Sequence, residues 1–337
     1  MLLTNDLTVG VLNEAIEKNA DFIVSYHPPL FSATKRWTCA ETKHEIAVRA
    51  LEQRIGVYSH HTALDAKNGG VNDWLCSFLS DTEVKSKRPI QRRLADERLK
   101  IVCFVQEKNV EQVRTAMAAK GAGVIGNYDN CAFQSNGVGT FKGNDASNPT
   151  VGEANRQEFV DEIKLEMLCD KRQLSSVLEA MIDAHDYEEP AFDVFPLVAQ
   201  EIADTGIGRV VELHSAVPLC DIVERIEKHL GLKHLRVSSN AELAEKKIQT
   251  IALCAGSGYS VLKSLTNVDL WLTGEMSHHD ALEANERGVA VVLCEHSNTE
   301  RGYLQQMRKE LTELFASENE HIDVMVSAVD RDPLQCV

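Results

Sequence analysis

The chain has 337 residues, 44% of them hydrophobic, and 35 lysines and arginines face 51 acidic residues for a formal net charge of −16. That length points to about two folding units, and the negative balance argues against broad attraction to nucleic acid or an anionic membrane. Nine cysteines, scattered from Cys39 to Cys336 without a C-x-x-C pair, fit a reducing compartment. No stretch has membrane-spanning length and no signal-peptide pattern opens the chain, so the expected location is the cytoplasm, with a nuclear share left open.

Met1 to Thr4 reads as a strand, and Asp6 or Thr8 can cap the helix whose apolar face is Val11, Leu12, Ala15 and Ile16. Asp21 to Tyr26 is a short buried strand ending at His27, where two prolines stop it. Lys43 to Arg54 reads as a helix, Gly56 to His60 as a strand, Asp65 as a loop residue and Gly70 to Leu79 as a helix. This alternation indicates a largely parallel sheet with helices on its faces. The basic run Lys85 to Arg93 reads as a solvated linker.

A different rhythm follows. Ile101 to Val105 is a strand, Val110 to Ala119 a helix and Gly123 to Asn130 a strand, while Phe133 to Asn148 is rich in glycine and asparagine like a hairpin and loop. Lys164 to Leu168, Leu174 to Ala184 and Ala191 to Leu197 then read as strand, helix and strand. The order resembles a ferredoxin-like α+β module inserted over residues 99–204, between segments 1–95 and 205–337 of an α/β domain.

Thr205 to Gly208 reads as the re-entry turn. Strands are expected at Arg209 to Leu213, His234 to Val237, Ile248 to Cys254, Val268 to Thr273, Val289 to Cys294 and Ile322 to Val326. Helices are expected near Leu219 to His229, Val261 to Leu265, His278 to Arg287 and Thr299 to Leu314.

In an open parallel sheet, functional residues gather beyond the carboxyl ends of strands. His27, His61, Asp65, His296 and Glu300 all take such positions, and His296 and Glu300, four apart, can point at one site. Imidazoles suit zinc, iron or nickel, and carboxylates also suit manganese or magnesium. Glu300 has two oxygens with which to bridge a pair of ions, which would activate water. Each residue also has a plainer role: a capping histidine, a helix-start glutamate, a turn aspartate. Ala255 to Gly258 can cradle an anion on its amides or simply form a tight turn, and it lacks the P-loop lysine. One of His278 and His279 could shuttle a proton. His44, His185, His229, His234 and His321 read as surface or packing residues.

Seven segments, in order, carry a family likeness. They are Leu3 to Thr8 (LTNDLT), Ser25 to Phe31 (SYHPPLF), His61 to Asp65 (HTALD), Gly69 to Trp74 (GGVNDW), Gly206 to Arg209 (GIGR), Thr273 to His279 (TGEMSHH) and Glu295 to Glu300 (EHSNTE). Together they resemble the GTP cyclohydrolase 1 type 2-like family, also named for its Ngg1-interacting-factor members, and the His-Pro-Pro form is similar to the animal branch. The resemblance covers most of the chain.

It implies two related α/β halves around a dinuclear metal site, an inserted domain, and assembly into a toroidal homohexamer. Carried to these positions, it implies one ion on His27, His296 and Glu300 and another on Asp65 and Glu300, with Tyr26 where the family's further histidine stands. His61 is the nearest replacement ligand. Zinc, iron or manganese, one or two ions per chain, are the expected cofactors. Relative to the family pattern a preceding helix and strand are missing at the amino terminus, which reads as a truncated or divergent start. The functional expectation is a metal-dependent hydrolase for a small or nucleotide-like substrate, with His61 or His279 handling a proton. The competing expectation is a metal-containing adaptor with a transcription-related protein partner.

Overall fold

The computed structural model describes residues 1–334, so Cys336 lies outside the described residues; the other eight cysteines are free thiols. The chain forms two compact units, one from residues 1–93 with those from 202 onward, the other from residues 94–201.

The first unit begins β1 (Leu2–Thr4), α1 (Val9–Glu17), β2 (Phe22–Ser25), α2 (Thr42–Glu52), β3 (Gly56–Ser59), α3 (Thr62–Ala66), α4 (Val71–Leu75) and β4 (Val84–Leu94). Thr8, rather than Asp6, caps α1: its side chain accepts from the Val11 N–H. Val11, Leu12 and Ala15 then pack with Leu2, Ile23, Ile46 and Ala50. Asp65 lies inside α3, a single helical turn, and not in a loop. The basic run 85–93 is not a linker but part of β4, the edge of a six-stranded sheet. Its charges and Pro89 suit an edge, which has no neighbour to bond on one side.

The second unit runs β5 (Arg98–Val105), α5 (Val110–Ala119), β6 (Ala132–Phe141), β7 (Glu158–Asp170), α6 (Leu174–Ala184) and β8 (Phe192–Pro196), with strand order β6-β7-β5-β8. The pairs whose register is given are antiparallel. Ile101, Cys103, Leu165 and Met167 meet Val113, Met117, Val177 and Met181 in its core. Residues 123–130 form a turn instead of the expected strand, because Gly123, Gly126 and Asn130 all have left-handed φ of 78°, 58° and 56°. The strand falls at 132–141, where a hairpin and loop were expected. Ten successive pairs with β7, from Ala132–Met167 to Phe141–Glu158, outweigh the low strand propensity of its glycines.

The first unit resumes with β9 (Glu201–Pro218), α7 (Leu219–Leu230), β10 (Arg236–Ser238), β11 (Lys247–Cys254), α8 (Tyr259–Leu262), β12 (Leu270–Thr273), α9 (His278–Glu286), β13 (Ala290–Leu293), α10 (Tyr303–Ser317) and β14 (Met325–Val326). Residues 205–208 are thus part of a long strand, not a turn. One sheet is four-stranded and parallel, β14-β1-β2-β3. The other is mixed, β10-β13-β12-β11-β9-β4, with β11, β12 and β13 parallel and β10 and β9 antiparallel to their neighbours. Leu3 and Val24 from the first sheet, with Tyr26 just past β2, share a core with Val211, Leu253, Leu272 and Val292 from the second. Burial of this kind, about 1.5–3 kcal/mol for each large apolar side chain, holds the sheets together.

Candidate metal centre

Strand ends bring the site together. His27 lies just past β2, and its backbone N–H donates to the Asn5 carbonyl at 3.0 Å, beside the end of β1. His296 and Glu300 flank a short 3-10 turn after β13, where the Thr299 hydroxyl donates to the His296 carbonyl and accepts from the Gly256 N–H after β11. The expected i, i+4 convergence is present: His296 Nε2 lies 3.3 Å from Glu300 Oε1. His27 Nε2 lies 3.5 Å from Glu300 Oε2. One ligand atom from each of the three residues falls within 4.8 Å of the others.

Each imidazole is held from behind. His27 Nδ1 is 2.9 Å from Asp6 Oδ1, and His296 Nδ1 is 2.7 Å from Glu275 Oε1. A carboxylate at Nδ1 favours the tautomer whose Nε2 lone pair faces the cluster, an arrangement common to metal-binding histidines. Electrostatics agree with cation binding. Burial would lower the His27 pKa, but Asp6 and Glu300 outweigh it and raise it. His296 is raised to about 9, first by its hydrogen bond to Glu300, then against burial by Glu275. Surroundings negative enough to raise the pKa of both rings also suit a divalent cation, whose binding would compete with protons.

Two further features fit an ion. Gly256 has φ +65°, and a Cβ there would sit 2.7 Å from Glu300 Oε1 and 3.0 Å from His296 Nε2, so only bare backbone leaves the cluster open. Buried Asn5 donates through Nδ2 to Glu300 Oε2 at 3.2 Å, while its Oδ1 has no hydrogen-bond partner among the described residues. The donor set, two imidazoles and one carboxylate, is one that binds a divalent transition metal.

The remaining candidates divide. Asp65 is buried beside the cluster, but its Oδ1 accepts the Tyr26 hydroxyl at 2.9 Å. Burial, with Glu300 adding, pushes its pKa up to about 6 despite that bond. Burial and the neighbouring Asp65 and Glu300 also raise the Tyr26 pKa. His61 sits with its ring 5.9 Å from that of His27, in a left-handed backbone with φ 43°. Burial and His27 lower its pKa. His279 is solvent-exposed on α9 with its ring 5.4 Å from that of His278, outside the three-donor cluster.

The 255–258 segment is the tight turn rather than an anion cradle. Its amides at Ala255, Gly256 and Gly258 already donate to Asn72, Thr299 and Thr273. Asp6, Glu275 and Asn5 were not among the expected site residues. All three lie in the motif segments, but their roles depend on partners at least 21 residues away. A cavity of about 570 Å³ lies in the second unit, lined by residues such as Phe104, Phe141, Lys164 and Tyr187, and none of the candidate ligands borders it.

The profile of the family described as Duf34/NIF3 (NGG1p interacting factor 3) matches residues 1–333. NIF3-like protein 1 of Bos taurus is 37% identical over 343 residues, covering 100% of this chain and 82% of that protein. A GTP cyclohydrolase 1 type 2 homolog of Bacillus subtilis is 32% identical over 335 residues, covering 99% and 88%. Among solved structures, a Bacillus cereus protein related to NIF3 superposes with a TM-score of 0.71 at 29% identity, covering 100% of this chain and 88% of the other. The Staphylococcus aureus protein SA1388 gives 0.75 at 27% identity, with the same coverage.

Proposed function

The chain belongs to the Duf34/NIF3 (NGG1p interacting factor 3) family, and from that premise we propose that it is a metal-dependent hydrolase of a small or nucleotide-like substrate. The observation that carries this reading is the convergence of His27, His296 and Glu300, with both histidine Nδ1 atoms held by carboxylates. These three residues would hold zinc, iron or manganese, which when bound supplies Lewis acidity and a water of lowered pKa.

The protein's own groups supply orientation and proton handling. Asp6 and Glu275 fix the rings, and the Gly256 turn keeps side chains out of the reaction space. His61, its pKa lowered, is neutral near pH 7 and suited to accept a proton from the attacking water. Hydrolysis then places the water oxygen on the electrophilic carbon or phosphorus and a proton on the leaving nitrogen or oxygen. His279 would need to reach the site from outside the cluster, so His61 is the better general base. The nucleotide-like substrate class draws on relatives named GTP cyclohydrolase 1 type 2 homolog.

In this reading segments 1–95 and 205–337 form the metal-binding domain. The strand order β6-β7-β5-β8 with both helices packed in one core supports a ferredoxin-like insert at 99–204. We further propose a homohexamer acting in the cytoplasm, on the family resemblance alone. A second reading, a metal-containing adaptor for a transcription-related protein, draws on the family's description as an interacting factor.

The experiment is metal content per chain by plasma mass spectrometry on gently purified, untagged protein, beside a His296→Ala/Glu300→Ala variant. Stoichiometric metal that disappears in the variant, followed by metal-dependent loss of one substrate in a screen, supports the hydrolase. Metal retained without turnover moves the assignment to the adaptor. A parent that stays metal-free when offered zinc, iron or manganese in reducing buffer rejects the metal centre itself.

A further inference from the structure

The resemblance implies two ions, but the donors in this chain fit one. Both oxygens of Glu300 are engaged by the first set, Oε1 toward His296 and Oε2 toward His27 and Asn5. Beyond that set, the only nearby carboxylate among the expected ligands is Asp65, and its Oδ1 carries the Tyr26 hydroxyl at 2.9 Å. Tyr26 and Asp65 are 2% and 9% exposed, so neither can exchange its partner for water without opening the core.

The backbone locks this pair. The Tyr26 N–H donates to the Thr4 carbonyl at 2.9 Å, and the Tyr26 carbonyl accepts from the His61 N–H at 3.0 Å and the Ser59 hydroxyl at 2.8 Å. The Asp65 carbonyl accepts from Asn72 Nδ2 at 3.0 Å. With the backbone anchored, the ring buried and its hydroxyl bonded to Asp65, the phenol has little room to swing aside. A second ion would therefore have Asp65, a shared Glu300 oxygen and a protonated phenol, fewer anionic or imidazole donors than divalent sites ordinarily use. Among the described residues, His61 does not join the group of ligand atoms that meets within 4.8 Å.

We infer that each chain binds one divalent ion, on His27, His296 and Glu300, and that the Tyr26 phenol hydrogen-bonded to Asp65 takes the place of a second. A consequence, resting on the hydrolase reading above, concerns the substrate. A paired-ion clamp for in-line phosphoryl transfer is not available. Two histidines and a glutamate are instead a donor set that would hold the one ion of a single-ion hydrolase of C–N bonds. Water adds across such a bond, its hydroxyl to carbon and its proton to the departing nitrogen.

The test counts ions. The full chain is titrated with Zn²⁺ and separately with Co²⁺ by calorimetry, and bound metal is measured after desalting for the parent, Tyr26→Phe, Asp65→Asn and Tyr26→His. One ion per chain is expected in the first three, and two in Tyr26→His. Two ions in the parent, falling to one in Asp65→Asn, overturns the inference while leaving the metal-dependent hydrolase standing. A well-folded Tyr26→His that still takes one ion also overturns it, because the phenol is then not what excludes the second. If Tyr26→His fails to fold, the parent and Asp65→Asn decide alone: one ion in both sustains the single site. No ion in the parent removes this inference and the function it rests on together.

Discussion

His296 Nδ1 lies 2.7 Å from Glu275 Oε1, which turns the opposite nitrogen of the ring toward Glu300. Asp6 does the same for His27 at 2.9 Å. Neither carboxylate is one of the three clustered donors, yet both set the direction and basicity of one. Glu275→Gln and Asp6→Asn should each weaken metal binding by about 10- to 100-fold while leaving saturating stoichiometry unchanged. Competition against a chelator of known affinity measures this; unchanged affinity in both variants would show that the rings are held by packing alone.

The Gly256 position has no room for a side chain. Gly256→Ala places a Cβ 2.7 Å from Glu300 Oε1 in a backbone with φ +65°. The left-handed conformation alone costs about 1–2 kcal/mol for a non-glycine residue, and displacement of Glu300 should abolish stoichiometric metal. Bound metal after desalting and the urea midpoint, measured together, separate the two effects. Full metal content in a stable variant would contradict the packing described here.

Arg209, 2% exposed, forms a bidentate pair with Asp73 at 3.1 and 2.6 Å and also donates to the carbonyls of Gly206, Gly208 and Lys67. This ties β9 to α4 and gives the arginine of the Gly206 to Arg209 motif a structural role. Asp73→Ala strands a buried guanidinium and should cost about 3–5 kcal/mol. Denaturant unfolding checks the value, and a loss below about 1 kcal/mol would show that Lys67 and the glycine carbonyls suffice.

Acid should release the C-terminal segment from α1. Burial would raise the Glu14 pKa, but Lys18, the Ser327 hydroxyl and the Ala328 N–H together bring it down to about 2. A depressed carboxyl contributes stability above its unfolded pKa, about 4.3, and loses it as pH falls toward the folded value. Glu14→Gln should thus be less stable than the parent by roughly 2 kcal/mol at pH 7, after allowance for the exposed Lys18 partner. The gap should close between about pH 5 and pH 2. Urea midpoints at pH 7, 4 and 3 give the comparison, and a gap independent of pH would mean that the substitution acts through packing.

Local pattern was enough to read much of this protein. Short apolar runs bounded by turn residues mark β1, β2, β11, β12 and β13, because a buried strand must be apolar whatever lies beside it. The spacing of His296 and Glu300 across one turn already places both side chains on one site. Those features depend on residues adjacent in the chain. Tertiary structure decided the rest. The run 85–93 is polar enough for a linker, and only the open edge beside β9 makes it a strand. Residues 132–141 carry two glycines and become a strand because β7 offers ten partners in register. Asp6 is as good a helix cap as Thr8 in sequence, but the close approach of His27 commits its carboxylate to the imidazole. Tyr26 reads only as a missing histidine in the sequence, whereas in the fold its hydroxyl donates a hydrogen bond to Asp65, 39 residues later. Hydrogen bonds and ion pairs act over about 3 Å of space, without regard to separation along the chain. The side chains that meet in the cluster were therefore legible in the sequence, while the carboxylates and hydroxyls that hold them depended on how the two sheets of the first unit pack.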